Sequence, residues 1–141
     1  MSTRSNIVIQ APDGKVMSIY CHYDGYPEHN GKMLLEHYDT TDKVSKLFEI
    51  GSIRSLKPTP KEIWKERDRW NDEAEKFMSL RAYMSGVDTL FIEYIYMWSV
   101  EYELWSVSES TCTKPSDSFQ ESVYYHTMFK PLVINDKEEV A

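Results

Sequence analysis

Between Cys21 and Asn30 the chain reads CHYDGYPEHN. Two imidazoles, two carboxylates, two phenols and a thiol fall within these ten residues. Loops that dense in polar types are where proteins place binding and catalysis. His22, Asp24 and His29 offer nitrogen and oxygen ligands for a metal, with Glu28 beside them as a base. The spacing is not H-E-x-x-H or another standard ligand pattern. Cys21 next to His22 suggests a nucleophile and its base, but neighbours on a strand point to opposite faces. Nucleophile elbows, P-loops and dinucleotide glycine loops are missing from the sequence. A recognition loop needs only what is present. Tyr23, Tyr26 and His29 give area and hydrogen bonds, while Asp24 and Glu28 seek a basic patch. A purely architectural loop uses the same residues: an Asp24-Gly25 turn, Pro27 to stiffen the exit, and tyrosines laid on a sheet.

Three further groups of residues carry weaker chemistry. Gly31 opens a helix, whose free N–H groups attract anions, but Glu28 opposes an anion there. Glu101 and Glu103 fall on one face of an expected strand and read as solubilising charge. Arg4, Arg54 and Lys57 could meet phosphate if aromatic rings nearby stack a nucleotide base.

The elements that position the loop follow from periodicity. Asn6–Ala11 and Lys15–Tyr23 alternate around Pro12-Asp13-Gly14, which predicts a hairpin. Asn30 is expected to cap a helix over Gly31–Tyr38 with Met33, Leu34 and Tyr38 inward. Thr40 or Thr41 caps a second helix, Asp42–Ile50, which Gly51 stops. Ile63, Trp70, Ala74 and Phe77 recur at helical spacing and predict a long helix over Lys61–Met78, with Arg67 on the same stripe. Ser79–Ser85 adds a helical turn. Leu90–Trp98 and Glu101–Val107 predict a second hairpin about Ser99-Val100, its first strand apolar on both faces and therefore central. Glu109–Ser118 reads as a polar loop, and Phe119–Phe129 fits strand or helix.

The length of 141 residues suits one domain. Ten Tyr, five Phe and four Trp load it with rings that serve either a core or a binding face. A net charge of −7 argues against nucleic acid, which requires basic patches. Cys21 and Cys112 lack C-x-x-C spacing and read as free thiols of a reducing compartment. MSTRSNIVIQ has no apolar signal region, and Glu93 interrupts the longest apolar run, so neither secretion nor a membrane span is expected.

Several segments together carry a resemblance. Thr3-Arg4-Ser5-Asn6-Ile7, the run Ile19–Glu28 (IYCHYDGYPE), Gly31, and Leu34-Leu35-Glu36-His37-Tyr38 resemble a family of small uncharacterised proteins of tailed bacteriophages and prophages. Its usual motif is IYCHWDGYPE, so Tyr23 stands where tryptophan is commoner. The EYIYMW segment is similar to the family's aromatic strand. The resemblance implies a phage accessory protein of the host cytoplasm and carries no activity onto single residues.

The expectation is a single α+β domain: an antiparallel sheet from N-terminal and C-terminal hairpins, about three helices packed on it, and disordered tails at 1–4 and 135–141. The expected function is non-enzymatic and without cofactor. It is to bind and block a host protein, in counter-defence or host takeover, through Tyr23, Asp24, Tyr26, Glu28 and His29. A nucleotide-sequestering protein and a metal-dependent hydrolase on His22, Asp24 and His29 are the alternatives, and a homodimer through an aromatic patch or sheet edge is compatible with every one of these readings.

Overall fold

The computed structural model describes residues 3–65, 72–88, 91–113 and 123–134. Strand β1 (Ser5–Gln10) turns through Pro12-Asp13-Gly14 into β2 (Val16–Cys21). Gly14 sits at φ 93°, the left-handed region that glycine tolerates, and Ala11 N–H closes the turn on Lys15 O at 2.9 Å. The hairpin is antiparallel with Ile7 opposite Ile19, as alternation predicts.

A π-helical turn (Pro27–Gly31) leads into α1 (Lys32–His37) and α2 (Thr41–Ile50). Thr40 Oγ1 accepts from Lys43 N–H at 3.2 Å, the expected cap, and Gly51 at φ 91° ends the helix. Next come α3 (Pro60–Lys65), β3 (Glu75–Phe77) and α4 (Leu80–Gly86), capped by Ser79. Strands β4 (Tyr94–Ser99), β5 (Leu104–Thr113), β6 (Val123–His126) and β7 (Lys130–Pro131) complete the fold. Among the described residues no helix is long and apolar enough to cross a membrane.

The protein is α+β. Its sheet runs β3-β2-β1-β4-β5-β6, with β7 also on β5. The two hairpins join through one parallel pairing, β1 with β4, made possible by the long helical crossover between them. Alternation then builds two cores. Ile7, Ile9, Ile19 and Cys21 face the α1–α3 side with Trp98 and Trp105. Val8, Val16, Ile95 and Met97 face α4. Hydrogen bonds dock the first layer: Trp98 Nε1 donates to Thr41 Oγ1 at 3.0 Å, and Trp105 Nε1 to Tyr38 O at 2.8 Å.

Four expectations are corrected. The Lys61–Met78 helix stops being a helix at its far end: Glu75–Phe77 is a strand, pairing Phe77 with Val16. There the backbone groups of β2 need a ladder partner, and that tertiary demand overrides a helical spacing. Arg67 and Trp70 lie outside the described residues. Glu101 and Glu103 lie in the turn between β4 and β5, Glu103 at φ 52°, so they share no strand face. The polar segment from Glu109 is strand as far as Thr113, its rungs made with β6. Asn30 is no cap: it lies inside the π-helical turn and is fully buried. Within 119–129 the described part, Val123–His126, is strand. Of the expected tails, 135–141 and residues 1–2 lie outside the described residues, whereas Thr3 O accepts from Gly25 N–H and Arg4 O from Glu93 N–H.

Candidate functional site

The bend from His22 to Gly31 departs from the sheet, so its backbone groups need partners beyond the strand ladder. His22 N–H donates to Ile53 O at 3.1 Å and Tyr23 N–H to Arg54 O at 2.8 Å. Asp24 turns the chain through φ 58°, a left-handed conformation that Asp adopts more readily than most residues. Gly25 then enters the interior. Its N–H donates to Thr3 O at 2.8 Å, and its carbonyl accepts from the Tyr96 hydroxyl at 2.6 Å. A Cβ on Gly25 would lie 2.7 Å from Ser5 Cβ and 2.8 Å from Thr3 O, so only glycine fits. Pro27 opens the π-helical turn, in which His29 and Asn30 N–H both donate to Tyr26 O at 3.0 Å.

Asn30 holds the bend from within. Its Nδ2 donates to Ser5 Oγ and to Cys21 Sγ, each at 3.3 Å. Its Oδ1 lies 2.9 Å from His29 Nδ1. That oxygen can only accept, so His29 carries its proton on Nδ1. Cys21 is wholly buried, and burial pushes its thiol up to about 11, with the Asn30 hydrogen bond opposing. It is an inert thiol rather than a nucleophile. As strand geometry requires, Cys21 faces the helical layer, away from His22.

The other half of the bend points out. Tyr23 and Tyr26 are 36% and 37% exposed, and Glu28 is exposed beside them. Tyr26 hydroxyl donates to Asp24 Oδ1 at 3.3 Å, and the Asp24 charge foremost holds that phenol above its usual range. The rings of Tyr26 and His29 lie 6.2 Å apart. The structure thus gathers Asp24, Tyr26 and His29, with Tyr23 at the start of the same bend.

It does not gather the metal set. His22 Nδ1 bonds the Tyr20 hydroxyl at 2.7 Å, whereas His29 is committed to Asn30. Among the described residues no three His, Cys, Asp or Glu side chains could hold a metal ion.

Beside Tyr23 lies a ledge of rings and guanidinium groups. His22 packs edge-on to Tyr23 at 4.6 Å, and Arg54 lies 5.8 Å from the Tyr23 centroid. Tyr20 stacks on Phe91 at 5.7 Å, and Arg4 sits 4.6 Å from the Phe91 centroid. Burial, then Arg4 and Arg54, lower the His22 pKa, so His22 is neutral at pH 7. Arg4 and Arg54 were legible as candidates from the sequence. Tyr20 was missed, although its i, i+2 spacing from His22 puts the two on one strand face. Phe91 carried no signal. Lys57 gives its carbonyl to the Tyr38 hydroxyl at 2.7 Å.

Compared with protein-family models, curated proteins and solved structures, the chain matches none.

Proposed function

We propose that this protein acts by binding, and that the outward half of the 22–29 bend is its contact surface. The observation that carries this reading is the division of labour within the bend. Cys21, Gly25, Asn30 and Gly31 are buried and hold the backbone in place, while Tyr23 and Tyr26 stand half-exposed, with Asp24 between them in the chain and exposed Glu28 two residues on. A rigid loop that presents tyrosines loses little entropy on association, which is how preorganised recognition surfaces gain affinity. The two carboxylates select a partner with a basic patch. Together with the phage resemblance, the reading is of an accessory protein that occludes a host protein in the host cytoplasm.

A second reading draws on Arg4 against Phe91 and Arg54 against Tyr23, which suit a small ligand with a ring and a phosphate. Thermal-shift measurements against nucleotides separate the two.

The test of the first reading uses a Tyr23→Ser/Tyr26→Ser variant with an unchanged melting temperature. A host protein captured by the wild type and lost by the variant supports it. Equal capture by both, or nothing captured above background, overturns it.

A further inference from the structure

At the hairpin end of the sheet, far along β1 and β2 from the bend, lies a groove of about 460 Å³. That volume falls within the range of small-molecule sites, about 300–1,000 Å³. Four strand ends meet there. Ile9 comes from β1, Met17 from β2, Phe77 and Met78 from β3 and its exit, and Val100 from the end of β4, where its N–H donates to Gln10 O at 3.0 Å. Met78 is 75% exposed, an apolar side chain left in water. Methionines at two wall positions give the groove an adaptable lining.

Among the described residues, the only charged groups on this wall are Lys15 and Lys76. Neither makes an ion pair among the described residues. Asp13, two residues before Lys15, is engaged by the Lys15 backbone N–H at 3.0 Å, and Glu75, next to Lys76 on β3, falls on the other strand face and does not line the groove. In a chain with 23 acidic and 16 basic residues, an apolar groove bordered only by ammonium groups is set apart from the rest of the surface. Lys76 also borders a second cleft with Glu49 and Glu73, so Lys15 is the cleaner of the two cations.

We propose that this groove binds a single-chain aliphatic anion, a fatty carboxylate, with its chain along the apolar wall and its head at Lys15 and Lys76. The wall offers almost no hydrogen-bonding group besides the two lysines. A bound peptide would bury amides there without partners, at a cost that an alkyl chain avoids. The charge on the rim then selects an anionic head over a neutral or cationic one. This site is separate from the 22–29 bend and stands or falls without it.

Calorimetric titration of the full chain with dodecanoate, below its micelle concentration, tests the proposal. One equivalent binds. Octanoate, four methylenes shorter, binds at least about tenfold more weakly. Dodecyltrimethylammonium, with the same chain and the opposite charge, binds at least about tenfold more weakly than dodecanoate. Lys15→Gln weakens dodecanoate by about threefold, the size of an exposed ion pair. Ala11→Leu, which fills the groove from a half-exposed position, removes binding with no change in melting temperature. No heat of binding, equal affinity for the cationic and anionic chains, or affinities untouched by both substitutions would overturn it.

Discussion

Removing the Tyr96 hydroxyl should loosen the bend without touching any residue in it. Tyr96 lies in the middle of β4, fully buried, opposite Ile7 on one side and Val107 on the other. Its hydroxyl donates to Gly25 O at 2.6 Å across 71 positions of sequence. Burial foremost raises its pKa, so it remains a donor throughout the working pH range. Tyr96→Phe keeps the ring and deletes that donor. A net hydrogen bond contributes about 1 kcal/mol, and an orphaned buried carbonyl costs about 1–3 kcal/mol. The expected destabilisation is therefore about 2 kcal/mol. With a urea m-value of about 2 kcal/mol/M for a domain of this size, the midpoint falls by about 1 M at constant m. Chymotrypsin gives a local reading, because Tyr23, followed by Asp24, is its natural target in the bend, whereas the Tyr26–Pro27 bond resists it. Cleavage there should be faster in Tyr96→Phe than in a helical-core variant such as Val44→Ala with the same urea midpoint. A midpoint shift under about 0.2 M, or equal cleavage in the two variants, would refute the claim that this hydroxyl pins the bend.

Two other perturbations probe the same interior. Gly25→Ala places a methyl group against Ser5 Cβ and the Thr3 carbonyl, and the latter is backbone that cannot step aside; a loss of about 1–3 kcal/mol, read as a lower urea midpoint, is expected. Cys21 links stability to pH in the alkaline range. Its folded pKa, about 11, lies above its ordinary value of 9.0, so its contribution is complete below pH 9 and is lost as pH rises to 11. The slope is at most about 1.4 kcal/mol per pH unit for this group. Buried Tyr83, pushed up to about 12, adds loss in the same direction above pH 10. Urea midpoints between pH 8 and 10 should fall less steeply in Cys21→Ala than in the wild type, and parallel slopes would show that the thiol is not the group responsible.

The parts of the fold legible in the sequence are those whose determinants are local. Pro12-Asp13-Gly14 fixes the first hairpin through one positive-φ glycine, and Thr40 with Gly51 brackets α2. What escaped was set by distant pairing. Nothing within β1 or β4 announces that they run parallel side by side; β1 simply alternates, and β4 is apolar on both faces, which says central and not with whom. The false long helix is more instructive. Ile63 belongs to the core on the α1–α3 side, whereas Phe77 packs against Tyr83 at 5.2 Å in the core on the α4 side. Their helical spacing therefore joins residues that end on opposite sides of the sheet. A 3.6-residue period cannot distinguish one buried stripe from two separate burials that happen to fall in step.

The density of polar types in CHYDGYPEHN was legible, but its meaning was divided in a way that spacing does not reveal. A bend that leaves the sheet, crosses a left-handed residue and enters a π-helical turn strands several backbone groups. Buried polar groups must be paired: this accounts for Gly25 on the backbone, and for the buried Asn30 side chain on Ser5 Oγ and Cys21 Sγ. The same accounting does not require Tyr23, Tyr26 or Glu28. Tyr23 and Tyr26 remain more than a third exposed, and neither hydroxyl closes a backbone gap. Serine at either position would leave every hydrogen bond of the inner half intact. Side chains of that size, half-exposed on a frame that does not need them, are what the proposed contact surface rests on.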